Sequence, residues 1–145
     1  MIPVKFPEPA FRFKRENSIE FIFDTIRKQW LVLNDEEWVR QNFIQYLVQT
    51  LGYPAAFIAL EKEIRLGELT KRFDILVYDP SHVPWMMIEC KAAVINLSDA
   101  ALQQVLRYNV SIPVPFLVIT NGHYTFGWQK TGIDLNLIEQ MPPWR

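Results

Sequence analysis

The chain has 145 residues, half of them hydrophobic and 14% aromatic, which fits one domain with a substantial core and argues against disorder except at the ends. A formal net charge of -1 excludes a polybasic nucleic-acid coat, so any DNA contact must come from a local basic patch. The lone cysteine, Cys90, excludes a disulfide framework, and no run approaches the ~18 apolar residues of a membrane span, so we expect a soluble, cytoplasmic, single-domain protein.

Residues 1–17 carry Pro3, Pro7 and Pro9 with Arg12, Lys14 and Arg15, the composition of an extended arm with a mildly basic end. The segment 19–33 fits a helix or a short hairpin turning between Thr25 and Lys28. Ile22-Phe23-Asp24 and Trp30-Leu31-Val32-Leu33 favour the hairpin. Asn34 is a good N-cap, and Glu37 three residues on completes a capping box. Val39, Phe43, Tyr46 and Leu47 continue with helical spacing until Gly52 and Pro54 stop the helix near Leu51. From Phe57 to Leu66 the pattern alternates, with Ile58, Leu60, Lys62 and Ile64 against Ala59, Glu61, Glu63 and Arg65, a half-exposed strand ending at a Gly67-Glu68 turn.

Two apolar strands follow, Phe73–Tyr78 and Trp85–Lys91, joined by the turn residues 79–84. Ser98 caps a helix over Asp99–Asn109. Pro113 and Pro115 separate it from a buried-type strand, Phe116–Thr120, and the Asn121-Gly122 turn leads to another at Tyr124–Trp128. The tail 141–145 reads as irregular. The core then spans about 34–128. Antiparallel strands followed by a helical crossover describe an α/β domain, a central mixed sheet flanked by helices.

Three charges interrupt the apolar strands: Asp74, Glu89 and Lys91. A six-residue loop sets Tyr78 opposite Trp85 and, counting back, Asp74 opposite Glu89, with Cβ atoms about 5 Å apart. Lys91 lies on the same face, roughly 7 Å further along. That face also carries Leu76, Met87 and Trp85, and the other carries Phe73, Ile75, Val77, Met86, Ile88 and Cys90. Two opposed carboxylates repel, and a divalent cation offsets that cost, with the Cys90 carbonyl as a candidate third ligand. Lys91 would then orient or help deprotonate the attacking water, or stabilise charge on a phosphate. The plainer alternative is an ion pair of Lys91 with Asp74 or Glu89.

Asp74 followed by Glu89-Cys90-Lys91 resembles the D…(D/E)-x-K core of the PD-(D/E)XK nuclease superfamily. More narrowly, Arg72–Tyr78, Ile88–Ala92, Trp38-Val39-Arg40-Gln41 and Phe116–Gly122 resemble, in order, motifs of the N-terminal nuclease domain of type I restriction enzyme R subunits. The resemblance implies a restriction-endonuclease-like fold and a Mg²⁺-dependent endodeoxyribonuclease in which Mn²⁺ can substitute. Asp74 and Glu89 map to metal ligands and Lys91 to the catalytic lysine.

Many members add an acid on the first helix. Glu36, spaced to share a face with Val39 and Phe43, is preferred over Glu37, which the capping box explains. Gln104-Val105-Leu106-Arg107-Tyr108 fits the Q-x-x-x-Y motif of some members, which would bring Gln104 to the site edge. Without the resemblance, the same helix is explained by packing of Leu102, Val105 and Leu106 on the sheet.

The chain has no G-x-x-x-x-G-K-[ST] loop, so the implied partners are DNA and a separate motor or specificity protein, and the oligomeric state is open. A catalytically silent nucleic-acid or protein binding module with the same fold is the alternative, and a purely structural subunit a weaker third. Arg65, Lys71 and Arg72 flank the charged hairpin end, either as DNA-phosphate contacts or as ordinary strand-end charges. His82 and His123 sit in turns without the further ligands of a zinc site.

Overall fold

The computed structural model describes residues 1–145, apart from the side chain of Leu66, so the last position of the expected 57–66 alternation lies outside the described residues. Strands β1 (Phe13–Glu16), β2 (Ile19–Asp24) and β3 (Gln29–Val32) form a small antiparallel sheet. The expected hairpin is there and turns over residues 25–28, because Asp24 Oδ1 accepts the Ile26 and Arg27 amides. The arm expected over 1–17 is not free: its end is β1. Near its start the Ile2 amide donates to the Thr125 carbonyl, and Ile2 is buried. A Cβ on Gly127 would stand 2.8 Å from Ile2 Cδ1, so the tip of Ile2 packs into the space that the glycine leaves.

Helix α1 (Asp35–Gln45) starts at Asn34, whose Oδ1 accepts the Glu37 amide at 2.8 Å. It continues as one π-turn over Tyr46–Thr50 before Gly52. The large sheet then runs in chain order: β4 (Ile58–Leu66), β5 (Leu69–Tyr78), β6 (Pro84–Cys90), β7 (Phe116–Thr120), β8 (Thr125–Thr131) and β9 (Asp134–Ile138). Only β6 and β7 are parallel, and α2 (Asp99–Asn109) is the crossover between them. Strand β9 lies beyond the expected core, and β5 begins four residues earlier than expected. No helix is long and apolar enough to cross a membrane.

Two apolar clusters sandwich the sheet. On one side Val39, Phe43 and Leu47 pack with Ile75, Val77, Ile88 and Val118; on the other, Leu102 and Leu106 of α2 pack with Leu76, Met87, Leu117 and Ile119. The fold is thus α/β with a mixed six-stranded sheet between helices.

Strict alternation fails at two places. Val77↔Met86 is followed by Tyr78↔Pro84, so Tyr78 does not face Trp85, and the bulge turns Trp85 into the α1-side core. Between Leu60↔Ile75 and Lys62↔Phe73 the ladder skips one pair, and Glu61 takes a left-handed φ of 54° there. Ile58, Leu60 and Ile75 belong to the α1-side core, whereas Ile64 and Phe73 pack on the α2 side. Both strands therefore rotate across Glu61 and Asp74, which overturns the single-face assignment of Ile58 to Ile64 and of Phe73 with Ile75. A left-handed conformation at a non-glycine residue costs about 1–2 kcal/mol, which the ion pairs of Glu61 must offset.

Candidate active site

The pairing of Ile75 with Ile88, continued by one residue, brings Asp74 level with Glu89 at the charged end of β5 and β6. This is the expected register. The two carboxylates nonetheless have different surroundings. Asp74 Oδ2 accepts the Cys90 amide at 2.7 Å, and Asp74 Oδ1 lies 4.0 Å from an Arg40 Nη atom of α1. Burial pushes the Asp74 carboxyl up to about 6; the Cys90 hydrogen bond and Arg40 counter this, while the charges of Glu89 and Glu36 add to it. Glu89 faces α2. Its Oε1 is buried and takes no hydrogen bond; Lys71 Nζ stands 3.2 Å away as an ion-pair contact only.

Arg40 is the hub of the α1 side. It hydrogen-bonds Glu37 through Nε at 2.9 Å and through Nη2, and Glu61 through Nη1. Burial alone would lower its pKa, but the bonds to Glu37 and Glu61 outweigh that and raise it. Burial would likewise raise the Glu61 carboxyl, yet Arg40, together with Arg72 at 2.7 Å, holds it below the usual carboxylate range. This network fixes the kink at Glu61, and with it the position of Asp74.

Glu36 is exposed rather than inward, so the face it was expected to share with Val39 and Phe43 is not its own. Glu37 is the buried acid, and its side chain bonds Arg40 and Gln41. The reason is geometric: an N-terminal first turn has its own entry angle, and β2–β3 covers it, with Arg27 4.0 Å from Glu37. Glu36 still lies near enough for its charge to raise the Asp74 pKa.

Lys91 lines an open cleft of about 310 Å³ with Glu89, Lys71, Gln104 and Tyr108. Its amide donates to the Thr120 carbonyl, and among the described residues its ammonium makes no ion pair, so the pairing considered for it falls instead to Lys71. Gln104 and Tyr108 are both exposed on the cleft side of α2, and Lys71 Nζ lies 4.6 Å from the Tyr108 ring centroid. Leu102 and Leu106 provide the packing on the sheet, as the packing explanation of this helix expects. The Cys90 thiol is buried in the α1-side core, and burial, then the charge of Asp74, pushes its pKa well up. It is inert as a side chain, which leaves only its backbone beside Asp74.

Among the described residues no three His, Cys, Asp or Glu side chains gather as a ligand cluster. Two neighbouring carboxylates, one with a buried oxygen that meets Lys71 without a hydrogen bond, are oxygen donors of the kind a hard divalent cation takes, with further oxygens from backbone and water.

Sequence comparison bears on this arrangement. A family model described as Type I restriction enzyme R protein N terminus matches residues 35–142, from the first turn of α1 to beyond β9. The chain belongs to this family. The match takes in Asp74, Glu89, Lys91 and Gln104 and leaves out the small sheet. A search of curated proteins gives no match.

In this member of the R protein N-terminal family three residues near the site were not among the expected site residues, although Arg40 lies within the motif 38–41 and Lys71 was read as a flanking charge. Arg40 was visible as a basic residue inside the Val39/Phe43 stripe, where an unpaired arginine is improbable. Glu61 could be read from the tight Gly67-Glu68 turn, which, counted back, sets it opposite Asp74. Lys71 is three residues past the same turn on β5, but only the tertiary fold shows that it reaches Glu89 rather than solvent.

Proposed function

We propose that this R protein N-terminal domain is a Mg²⁺-dependent endodeoxyribonuclease of the PD-(D/E)XK superfamily. Asp74 and Glu89 would hold the metal with the Cys90 carbonyl. When bound, the cation supplies Lewis acidity toward the phosphoryl group and lowers the pKa of the attacking water. Lys91 orients that water or steadies charge on the phosphate from the cleft beside Glu89. Glu36 adds negative charge at the metal side, and Gln104 positions substrate at the cleft edge. In the reaction a water oxygen bonds to phosphorus, one P–O ester bond breaks, and the leaving oxygen takes a proton. DNA is the substrate, and a motor or specificity protein is the further partner.

The observation that carries this reading is the acid pair itself: Asp74 and Glu89 level at the end of β5 and β6, Asp74 pushed up to about 6 by burial and Glu89 Oε1 buried without a hydrogen bond. Its test is nicking of plasmid DNA with Mg²⁺ or Mn²⁺. Lys91→Ala should lose about 10²-fold or more of the rate, and equal activity in the two proteins would end the assignment. Asp74→Asn should weaken Mn²⁺ binding in a calorimetric titration.

A second reading, a silent nucleic-acid or protein binding module, draws on Lys71 standing against Glu89 and on the lack of a third clustered acid among the described residues. Unchanged Mn²⁺ affinity in Asp74→Asn, with DNA binding intact and no cleavage, would favour it.

A further inference from the structure

The small sheet precedes the residues matched by the family model, and the rings on its outer face belong to neither core. Alternation decides which residues form that face. Ile22 is fully buried, and its partner Phe13 meets Trp38 of α1. Phe21 and Phe23 therefore point the other way. The pairings Phe23↔Trp30 and Phe21↔Lys14 set Trp30 and Lys14 beside them, and the Phe23 amide, donating to the Arg12 carbonyl, aligns Arg12.

Two cations thread these three half-buried rings. The Arg12 guanidinium carbon is 4.7 Å from the Phe23 centroid and 5.4 Å from that of Trp30. Lys14 Nζ is 4.8 Å from the Trp30 centroid and 5.5 Å from that of Phe21. Lys14 also meets Glu16 at 3.3 Å, an exposed pair of small worth.

An apolar protein surface docking here would have to desolvate both cations without pairing them. A nucleic acid supplies both complements, π faces for the rings and the guanidinium, and phosphates for the charges. Base faces are free only in a single strand. The opposite, inner face of the same sheet reaches the candidate active site. Arg27, in the β2–β3 turn, is bonded to Asp24 at 2.8 Å and stands 4.0 Å from Glu37, which Arg40 links onward to Asp74.

We propose that the outer face of the β1–β3 sheet binds single-stranded DNA, with Phe21, Phe23 and Trp30 as the stacking platform and Arg12 and Lys14 as phosphate contacts. The proposal does not depend on nuclease activity, and its test is run in EDTA so that cleavage is not read.

The full chain is titrated into a fluorescein-labelled single-stranded oligothymidylate, a duplex of equal length and an oligouridylate, with anisotropy as the readout. The single DNA strand should bind tightest. Trp30→Ala should weaken it about ten-fold or more, and Trp30→Phe should stay within about three-fold of wild type, as expected for stacking. The double variant Arg12→Gln/Lys14→Gln should weaken binding and flatten its salt dependence. It changes only side-chain tips, so it remains informative if circular dichroism shows Trp30→Ala unfolded.

Wild-type affinity in the double variant, equal or tighter binding of duplex or RNA, or no binding at all would overturn the proposal. So would a dimer in sedimentation that Trp30→Ala dissolves without any effect on DNA, because the occupant would then be a second copy. A chain that binds the strand yet never cuts DNA supports this site and counts against the nuclease.

Discussion

The two sides of the candidate active site are built on opposite principles. On the α1 side the buried charges form one network: Arg40 bonds Glu37 and Glu61, Arg72 bonds Glu61, and Arg40 approaches Asp74, whose carboxyl burial still pushes up. On the α2 side, Glu89 has one ion-pair contact and an orphaned oxygen, and Lys91, Gln104 and Tyr108 open on a cleft. A committed network fixes geometry, and an uncommitted one leaves groups free for a ligand. The comparison separates a side held by its own ion pairs from a side whose polar groups border open space.

The sharpest way to break that contrast is Arg40→Met. It strands partly buried carboxylates, and we expect a loss of about 3–5 kcal/mol in urea unfolding. A loss under about 1 kcal/mol would dissolve the distinction between the sides.

Next in size is Asp74→Asn. The folded pKa of Asp74, about 6, exceeds its unfolded value of 3.8. Its contribution to stability is therefore complete below the unfolded value and is lost as pH rises through the folded one. Ionising it costs on the order of 2–3 kcal/mol. In EDTA the asparagine variant should be more stable than wild type at pH 7 by up to about that amount and should lose the wild-type decline between about pH 4 and 7. Glu61, with a lowered pKa, contributes in the opposite sense, its share being lost as pH falls.

Lys71→Met should cost about 1–2 kcal/mol, because it leaves the largely buried Glu89 carboxylate without its cation, a cost that the adjoining open cleft reduces. Smallest is Gln104→Ala on the exposed face of α2. Its stability should stay within about 0.5 kcal/mol of wild type, and any effect should appear in cleavage kinetics alone. A large stability loss from Gln104→Ala would mean that the α2 side is structural after all.

Much of this contrast could be read in the sequence, unevenly. The register that brings Asp74 level with Glu89 followed from loop counting, because the central rungs of β5 and β6 are regular even though the bulge at Tyr78 shifts their outer end. The place of Gln104 followed from helical period. The commitment of the α1 side did not, because it depends on the rotation at Glu61. Alternation assumes a period of two, and one left-handed residue exchanges the faces of everything beyond it. Glu36 was misplaced for a related reason: helical spacing gives relative positions around an axis, not the direction in which another element covers it. The small sheet was half visible, its hairpin legible from two apolar runs but β1 hidden in a proline-rich, basic segment.

By itself the sequence determined most of the elements, the mixed sheet and the chemical character of the charged strand ends, because periodicity, caps and turns act over a few residues. Tertiary structure alone decided which cation each carboxylate meets. Arg40 arrives at Asp74 from a separate helix, and Lys71 arrives at Glu89 across a hairpin that has turned over. Those choices rest on long-range packing and on desolvation, and both exist only once the two cores have closed on the sheet.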